Sequence, residues 1–187
     1  MKKIVLSFVA AASLMFAACE SEKTDTAKQG AAVEQKAPAA ADDVVMPVDP
    51  SAKLDQTFDN ANFTAQYPSS LAPKDMGGSD FYVCDENGHV VISMTYNTDG
   101  ATIEQLPTLA ENMTYPIKSE GFTEIGAPVV KGKKYVIRAT GEVSIGYFFS
   151  VMKEDKIGLM GSFQFPKDQA GEYEKYVGAF INSIKFK

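Results

Sequence analysis

Side chains that bind metals or act as nucleophiles are scarce in this 187-residue sequence. It contains one histidine (His89), two cysteines (Cys19 and Cys84) and no tryptophan. A typical zinc site needs several clustered His or Cys ligands, so this inventory excludes one. The sequence also lacks a Walker loop and a Gly-x-Ser-x-Gly motif, and Gly77-Gly78 has no following lysine to cradle a phosphate. We therefore expect no catalytic residue, no metal ion and no cofactor.

A hydrophobic run long enough to cross a membrane is also missing. The apolar stretch at 4–18 follows Met1-Lys2-Lys3 and ends in small residues. A transmembrane helix needs about 20 apolar residues. A positive start, a short apolar run and a small-residue end are typical of a secretory signal peptide. We predict that residues 1–18 are such a signal.

The end of that run carries a more specific motif. Phe16-Ala17-Ala18-Cys19 resembles the lipobox of bacterial lipoproteins. The resemblance implies that Cys19 becomes the first mature residue and carries acyl chains, palmitate among them, which would be enough for stable anchoring. The expected location is the bacterial cell envelope, on the periplasmic face or the surface of the outer membrane. The alternative is an ordinary secretory signal with an incidental cysteine.

Residues 19–51 have the composition of a flexible tether. They are rich in Ala, Lys, Gln, Glu and Asp and poor in large apolar residues, so they bury too little surface to offset the entropy of ordering. A random coil of this length spans about 30 Å. We expect residues 52–187 to form one domain at the end of this tether.

The chain is acidic. Once Lys2 and Lys3 leave with the signal, 24 acidic and 16 basic residues remain, which gives a net charge of about −8. No long basic stripe is visible in the sequence. This balance argues against nucleic acid, and against anionic lipid, as the main partner.

Alternating patterns in the domain predict an antiparallel sheet. Strands are expected at 62–67 and 81–84, and Asn87-Gly88 predicts a hairpin turn into a further strand. Four more extended stretches follow, near 122–130, 133–140, 143–152 and 157–165. Cys84 lies within an apolar strand and is expected to be a small buried hydrophobe.

Two helices are predicted beside these strands. Thr102 and Gln105 have capping-box spacing, and this first helix should end before Pro116. Asp168 is the expected N-cap of a strongly amphipathic C-terminal helix, whose apolar residues recur at helical intervals: Tyr173, Tyr176, Val177, Phe180, Ile181 and Ile184. The predicted fold class is α+β, with an antiparallel sheet of about six to seven strands sandwiched by helices.

The order of elements and several segments resemble a known family. Phe63-Thr64-Ala65-Gln66-Tyr67-Pro68-Ser69-Ser70, the Gly-Tyr-Phe-Phe strand at 146–149 and the C-terminal helix are similar to the PsbP-like superfamily, which includes DcrB-type bacterial lipoproteins. Many members have a tryptophan after the Tyr-Pro turn, where this chain has Leu71. The resemblance implies an α/β/α sandwich with a role in binding, scaffolding or assembly.

Two functions remain open from the sequence. The preferred hypothesis is a lipid-anchored binding or accessory protein of the envelope without catalytic activity, whose partner is an envelope protein or a small ligand. The Gly/Pro/Ser-rich loop at 69–80 is the candidate binding segment, with Met76, Phe81 and Tyr82 as candidate contacts. The alternative is an envelope hydrolase that uses carboxylates brought together by folding, which a pocket of carboxylates with raised pKa would favour.

Overall fold

The computed structural model describes residues 44–98 and 100–187. The predicted signal peptide, Cys19 and the tether up to residue 43 lie outside the described residues, as do Asp99 and the side chains of residues 103 and 106–112. The described α-helices are α1 (Leu106–Ser119) and α2 (Ala170–Ser183), and neither combines the length and apolarity that a membrane span requires.

The described strands form two antiparallel sheets. The smaller sheet has the order β1-β2-β11, and the larger has the order β3-β4-β5-β10-β9-β8-β6, with β7 also paired to β8. The strand bounds are β1 (Gln56–Asp59), β2 (Phe63–Tyr67), β3 (Ala72–Pro73), β4 (Phe81–Cys84), β5 (Val91–Tyr96), β6 (Phe122–Ile125), β7 (Val129–Lys131), β8 (Lys134–Gly141), β9 (Ser144–Lys153), β10 (Lys156–Pro166) and β11 (Lys185–Phe186).

The number of strands and sheets differs from the sequence-based expectation. We expected one sheet of six to seven strands, but the described residues contain two sheets. The strands that were missed include β1, β3 and β11, which have two to four residues each. Segments this short are specified by their pairing partners rather than by an alternating pattern of their own.

The predicted Asn-Gly hairpin is confirmed. β4 pairs with β5 so that Cys84 lies opposite Val91, and Gly88 in the turn adopts a positive φ of 74°, which glycine accepts without strain. On β5, Ile92 and Met94 face the core and are almost fully buried. Alternate residues of β5 therefore face the core, as the two-residue period of a strand requires.

The core lies on both faces of the larger sheet. On one face, residues of β2, β9 and β10 pack against α2 in the main cluster, which includes Phe163 and Phe180. On the other face, Ile117 of α1 packs with Phe122 and Phe148. Strand β9 sends residues to both clusters, so it is covered on both sides.

The helix ends differ in detail from the predictions. The Thr102 N–H donates to the Gln105 side-chain oxygen at 2.9 Å, but a 3₁₀ turn precedes α1, which starts at Leu106. The prediction that α1 ends before Pro116 is wrong: the helix continues to Ser119, because the Pro116 carbonyl still accepts the N–H of Glu120 at 3.1 Å. Asp168 is not the N-cap of α2, since another 3₁₀ turn intervenes and Gln169 takes that position.

The packed domain also begins earlier than residue 52. Val45 is 6% exposed and belongs to the main core cluster. The side-chain amide of Asn182 donates to the Met46 carbonyl at 3.2 Å. Residues 44–51, assigned to the tether from composition, therefore include a segment that lies along α2.

Candidate functional site

An open groove of about 580 Å³ lies at one end of the larger sheet. We call it the end groove, and it is lined by His89, Val143, Ser144, Pro166, Lys167, Asp168 and Gln169. These residues come from the β4–β5 turn, the β8–β9 turn and the 3₁₀ turn after β10. The groove is therefore built from three connections that the antiparallel sheet brings to the same end.

The wall of the end groove is held by backbone pairing. Ser144 lies opposite Pro166 in the β9–β10 ladder, and the Lys167 N–H donates to the Val143 carbonyl at 2.9 Å. Val143 itself is 75% exposed. The end groove therefore has one exposed apolar side chain among polar and charged neighbours.

The shifted carboxylates do not have the raised pKa that a general acid needs. Asp55 accepts two hydrogen bonds from Ser69, one from its hydroxyl and one from its N–H, each at 2.7 Å. These bonds lower the pKa of Asp55. Hydrogen bonds from Ser51 lower the pKa of Asp49, and one from Thr102 lowers that of Glu104. Lowering a pKa keeps these groups ionised at neutral pH, so these three residues give no support to the hydrolase hypothesis.

The metal-ligating residue types lie apart in the described part of the chain. No group of three or more His, Cys, Asp or Glu side chains in residues 44–98 and 100–187 is placed to hold a metal ion. His89 is exposed beside the hairpin turn. Cys84 is a free thiol with 1% exposure, which confirms that it is a small buried hydrophobe.

The three predicted contact residues have different environments. Met76 is 48% exposed at the tip of the 69–80 loop, and Tyr82 is half-buried. Phe81 is 2% exposed, with its ring centroid 4.8 Å from that of Phe58 and 6.0 Å from that of Phe180. Alternation along β4 turns Phe81 into the core and Tyr82 to the other face. Phe81 is therefore a core residue, and the prediction of a surface contact there is corrected.

The predicted binding loop is partly ordered by the sheet. Within it, Ala72–Pro73 forms β3 against β4, and the Lys74 N–H donates to the Tyr82 carbonyl at 3.0 Å. The Asp80 N–H donates to the Met94 carbonyl at 2.9 Å. These bonds hold both ends of the loop and leave Met76 in the turn between them.

Sequence reasoning missed the end groove. His89 and Val143 lie 54 positions apart in the chain, and their common location follows from strand pairing. The one local signal was Val143, a branched apolar residue beside Gly141 and Glu142 at a predicted turn. Val143 also continues the alternating pattern of the strand that follows it. It was therefore assigned to that strand, and its exposure was not expected.

Comparison with known proteins assigns the fold. No family model and no curated protein matches this sequence. The chain has a PsbP-like α+β fold. The solution structure of cyanobacterial PsbP (CyanoP) from Synechocystis sp. PCC 6803 is similar with a TM-score of 0.53 and 11% sequence identity, over 76% of this chain and 98% of that chain. This confirms the PsbP-like resemblance at the level of the fold, and identity this low shows the fold alone.

Proposed function

We propose that this protein is a lipid-anchored binding or accessory module of the bacterial cell envelope, in which a PsbP-like α/β/α sandwich holds a protein partner or small ligand without catalysing a reaction. The observation that carries the binding role is Val143, 75% exposed at a groove of about 580 Å³. Exposed apolar side chains in a concave, otherwise polar surface are favourable contact points for a ligand.

The anchor in this proposal comes from the sequence. The Phe16-Ala17-Ala18-Cys19 motif and the short apolar run before it resemble a lipoprotein signal, so Cys19 would carry the acyl chains. The first described residues, starting at Val44, lie along α2. Residues 19–43 would connect the anchor to the folded domain.

The two contact regions would act in different ways. In the end groove, the Val143 side chain would contact an apolar group while His89 and Lys167 contact polar groups at the rim. In the 69–80 loop, Met76 would add a flexible apolar contact that adapts to different shapes. Tyr82, half-buried on the sheet face away from the main core, would contribute a ring and a hydroxyl.

The anchor can be tested in a bacterial host by metabolic labelling with an alkyne analogue of palmitate. The native chain should incorporate the label and sediment with membranes, because Cys19 is the acceptor. The Cys19→Ala variant should lose both properties. A native chain that is secreted unlabelled, with Cys19 still a free thiol, would contradict the anchor.

The binding role is tested by photo-crosslinking from one position. A photoreactive amino acid at Val143 should capture a discrete partner in native envelopes, while the same substitution at Val129 serves as the control. Val129 is 50% exposed on β7, so it is also an exposed valine but lies outside the end groove. Equal products from both positions would argue against the end groove as the contact.

A further inference from the structure

The end of the sheet opposite the end groove is basic, although the chain as a whole is acidic. Seven of the thirteen lysines and arginines between residues 44 and 187 lie in the three short segments 131–134, 153–156 and 185–187. The same segments contain two acidic residues, Glu154 and Asp155, and a third, Asp59, forms an ion pair with Lys187. We call this surface the basic end. Its charge is hidden in the sequence because no single segment holds more than three lysines.

Strand pairing brings the three segments together. The Met152 N–H donates to the Lys133 carbonyl at 2.8 Å, which places the β7–β8 turn beside the β9–β10 turn. The Lys153 ammonium lies 5.7 Å from the centre of the Phe186 ring and 5.6 Å from that of Tyr96. The contact with Phe186 connects the end of β9 to β11, and the contact with Tyr96 connects it to β5.

The opposite end carries the other sign of charge. Glu86, Glu142 and Asp168 lie in the connections around the end groove, where they outnumber Lys167, and Glu120 accepts a bond from Gln164 at 2.9 Å near the same end. The domain is thus electrically polarised along its strands. The electric field of a charged surface favours one orientation of a molecule whose charges are separated in this way.

The described chain begins beside the basic end. The side chain of Asn182 contacts the Lys134 ammonium through its oxygen at 3.5 Å, and it donates to the Met46 carbonyl at 3.2 Å. One side chain therefore joins the N-terminal segment to a lysine of the basic end. If Cys19 carries the anchor, the chain reaches the domain at its positive end.

We propose that the basic end is a membrane-facing surface that docks on anionic phospholipid headgroups and leaves the end groove turned away from the bilayer. Five of the seven lysines are exposed, so their ammonium groups lie at the surface, where they can meet the phosphates of a lipid headgroup. Lys134 is 8% exposed and lies beneath them. This inference rests on the proposed anchor for its biological setting. It differs from the expectation that net charge gives for anionic lipid, because local charge determines contact at short range.

Lysine footprinting on vesicles tests this docking. The chain from Cys19 to Lys187 is coupled through Cys19 to a maleimide lipid, in vesicles of phosphatidylcholine alone or with about one third phosphatidylglycerol. Acetylation by a water-soluble ester is then read by mass spectrometry. Lys131, Lys133 and Lys156, all exposed, report on the basic end, while the exposed Lys74, Lys118 and Lys167 are controls in the same molecule.

We expect acetylation of the three basic-end lysines to slow at least about threefold on the anionic vesicles relative to the neutral ones, and the protection to disappear in high salt. The control lysines should react equally on both vesicles. Equal reactivity of both sets would overturn the proposal. Protection that is already present without vesicles would also overturn it, since an acidic segment of the chain or a second copy would then occupy the surface.

Matched charge variants provide the second measurement. K131E/K133E/K156E and K74E/K118E/K167E lower the net charge by the same amount, and the exposed Lys185 remains in both as a reporter. The basic-end variant should lose protection of Lys185 on anionic vesicles, while the control variant keeps it. Loss in both variants would show a general charge effect and overturn the proposal. Because the coupling is chemical, the outcome does not depend on whether cells acylate Cys19.

Discussion

The phenolic hydroxyl of Tyr147 donates a hydrogen bond to the carboxylate of Glu174, and this contact joins strand β9 to helix α2. The Nε of Arg138 on β8 lies 3.0 Å from that hydroxyl and 3.1 Å from Glu174 Oε1. Burial, and then the bond to Glu174, raise the pKa of Tyr147 to about 12. The main helix is thus attached to two central strands by one polar cluster at the edge of the core.

Removing this hydroxyl should destabilise the domain. We expect Tyr147→Phe to lower the free energy of unfolding by about 1–2 kcal/mol, because hydrogen bonds to charged groups contribute more than neutral ones. Urea unfolding measures the change. An unfolding free energy equal to that of the native chain would show that the cluster does not stabilise the attachment of α2.

Tyr135→Phe is the matched control for that substitution. The Tyr135 hydroxyl is buried and has no hydrogen-bond partner among the described residues. Its removal eliminates an unsatisfied polar group, so the variant should be equal to the native chain within about 0.5 kcal/mol or more stable. A loss as large as that of Tyr147→Phe would contradict the distinction between the two tyrosines.

Stability should fall in strong base. Burial raises the pKa of Tyr135 to about 12, as it does for Tyr147, from an ordinary value of 10.0. The folded state therefore keeps these protons when the unfolded state loses them. Below about pH 10 the two tyrosines make their full contribution to the free energy of unfolding. As pH rises from about 10 to 12, this contribution is lost and the free energy of unfolding decreases. The double variant Y135F/Y147F should show a weaker decrease in the same denaturant titration.

The N-terminal segment depends on a glycine in α2. A Cβ built at Gly178 would lie 2.2 Å from the Pro47 carbonyl oxygen, whereas one at Gly171 would meet nothing within 4 Å. We expect Gly178→Ala to displace residues 44–49, expose Val45 and cost about 1–3 kcal/mol. Hydrogen exchange at these residues should rise together with the loss of stability.

Gly171→Ala supplies the control in the same helix. The substitution reduces the backbone entropy of the unfolded chain without a new contact, so it should leave exchange at residues 44–49 unchanged and stabilise the fold by about 0.5 kcal/mol. Faster exchange in both variants would show that the helix is sensitive to any added methyl group, and that the Pro47 contact is not the cause.

Substitutions of Phe81 and Met76 should differ in their effect on stability. Phe81→Ala is expected to cost about 3–5 kcal/mol in chemical denaturation, because it leaves a cavity in the main core. Met76→Ala should change stability by less than about 0.5 kcal/mol, since Met76 is 48% exposed. If Met76→Ala were as destabilising as Phe81→Ala, Met76 would be a packing residue and not an available contact.

The thiol of Cys84 should be unreactive in the folded protein. With Cys19→Ala in place, Cys84 is the only remaining cysteine, and it is 1% exposed. Modification by a thiol reagent should therefore follow unfolding and accelerate in denaturant. Rapid modification in native buffer would contradict the burial of β4.

Local patterns predicted much of the fold correctly. The β4–β5 hairpin follows from Asn87-Gly88, and the burial of Phe180 and Ile181 follows from helical spacing. In contrast, α2 begins after a 3₁₀ turn and not at Asp168. The residue type at 168 suits a cap, but the start of the helix depends on how β10 ends. Phe81 was predicted to be a contact because it directly follows the candidate loop at 69–80, but its place in β4, opposite Met94, turns it inward.

The sequence by itself determined the alternating strands, the hairpin turn, the amphipathic C-terminal helix and the position of the lipoprotein-like motif at Cys19, because each depends on residues within a few positions of one another. Tertiary structure decided the small sheet, the inclusion of Val45 in the core, the end groove and the basic end. Each of these requires contacts between distant segments, such as Met152 with Lys133 or Met46 with Asn182. Strand pairing and helix packing bring those segments together, and local periodicity carries no information about which segments will meet.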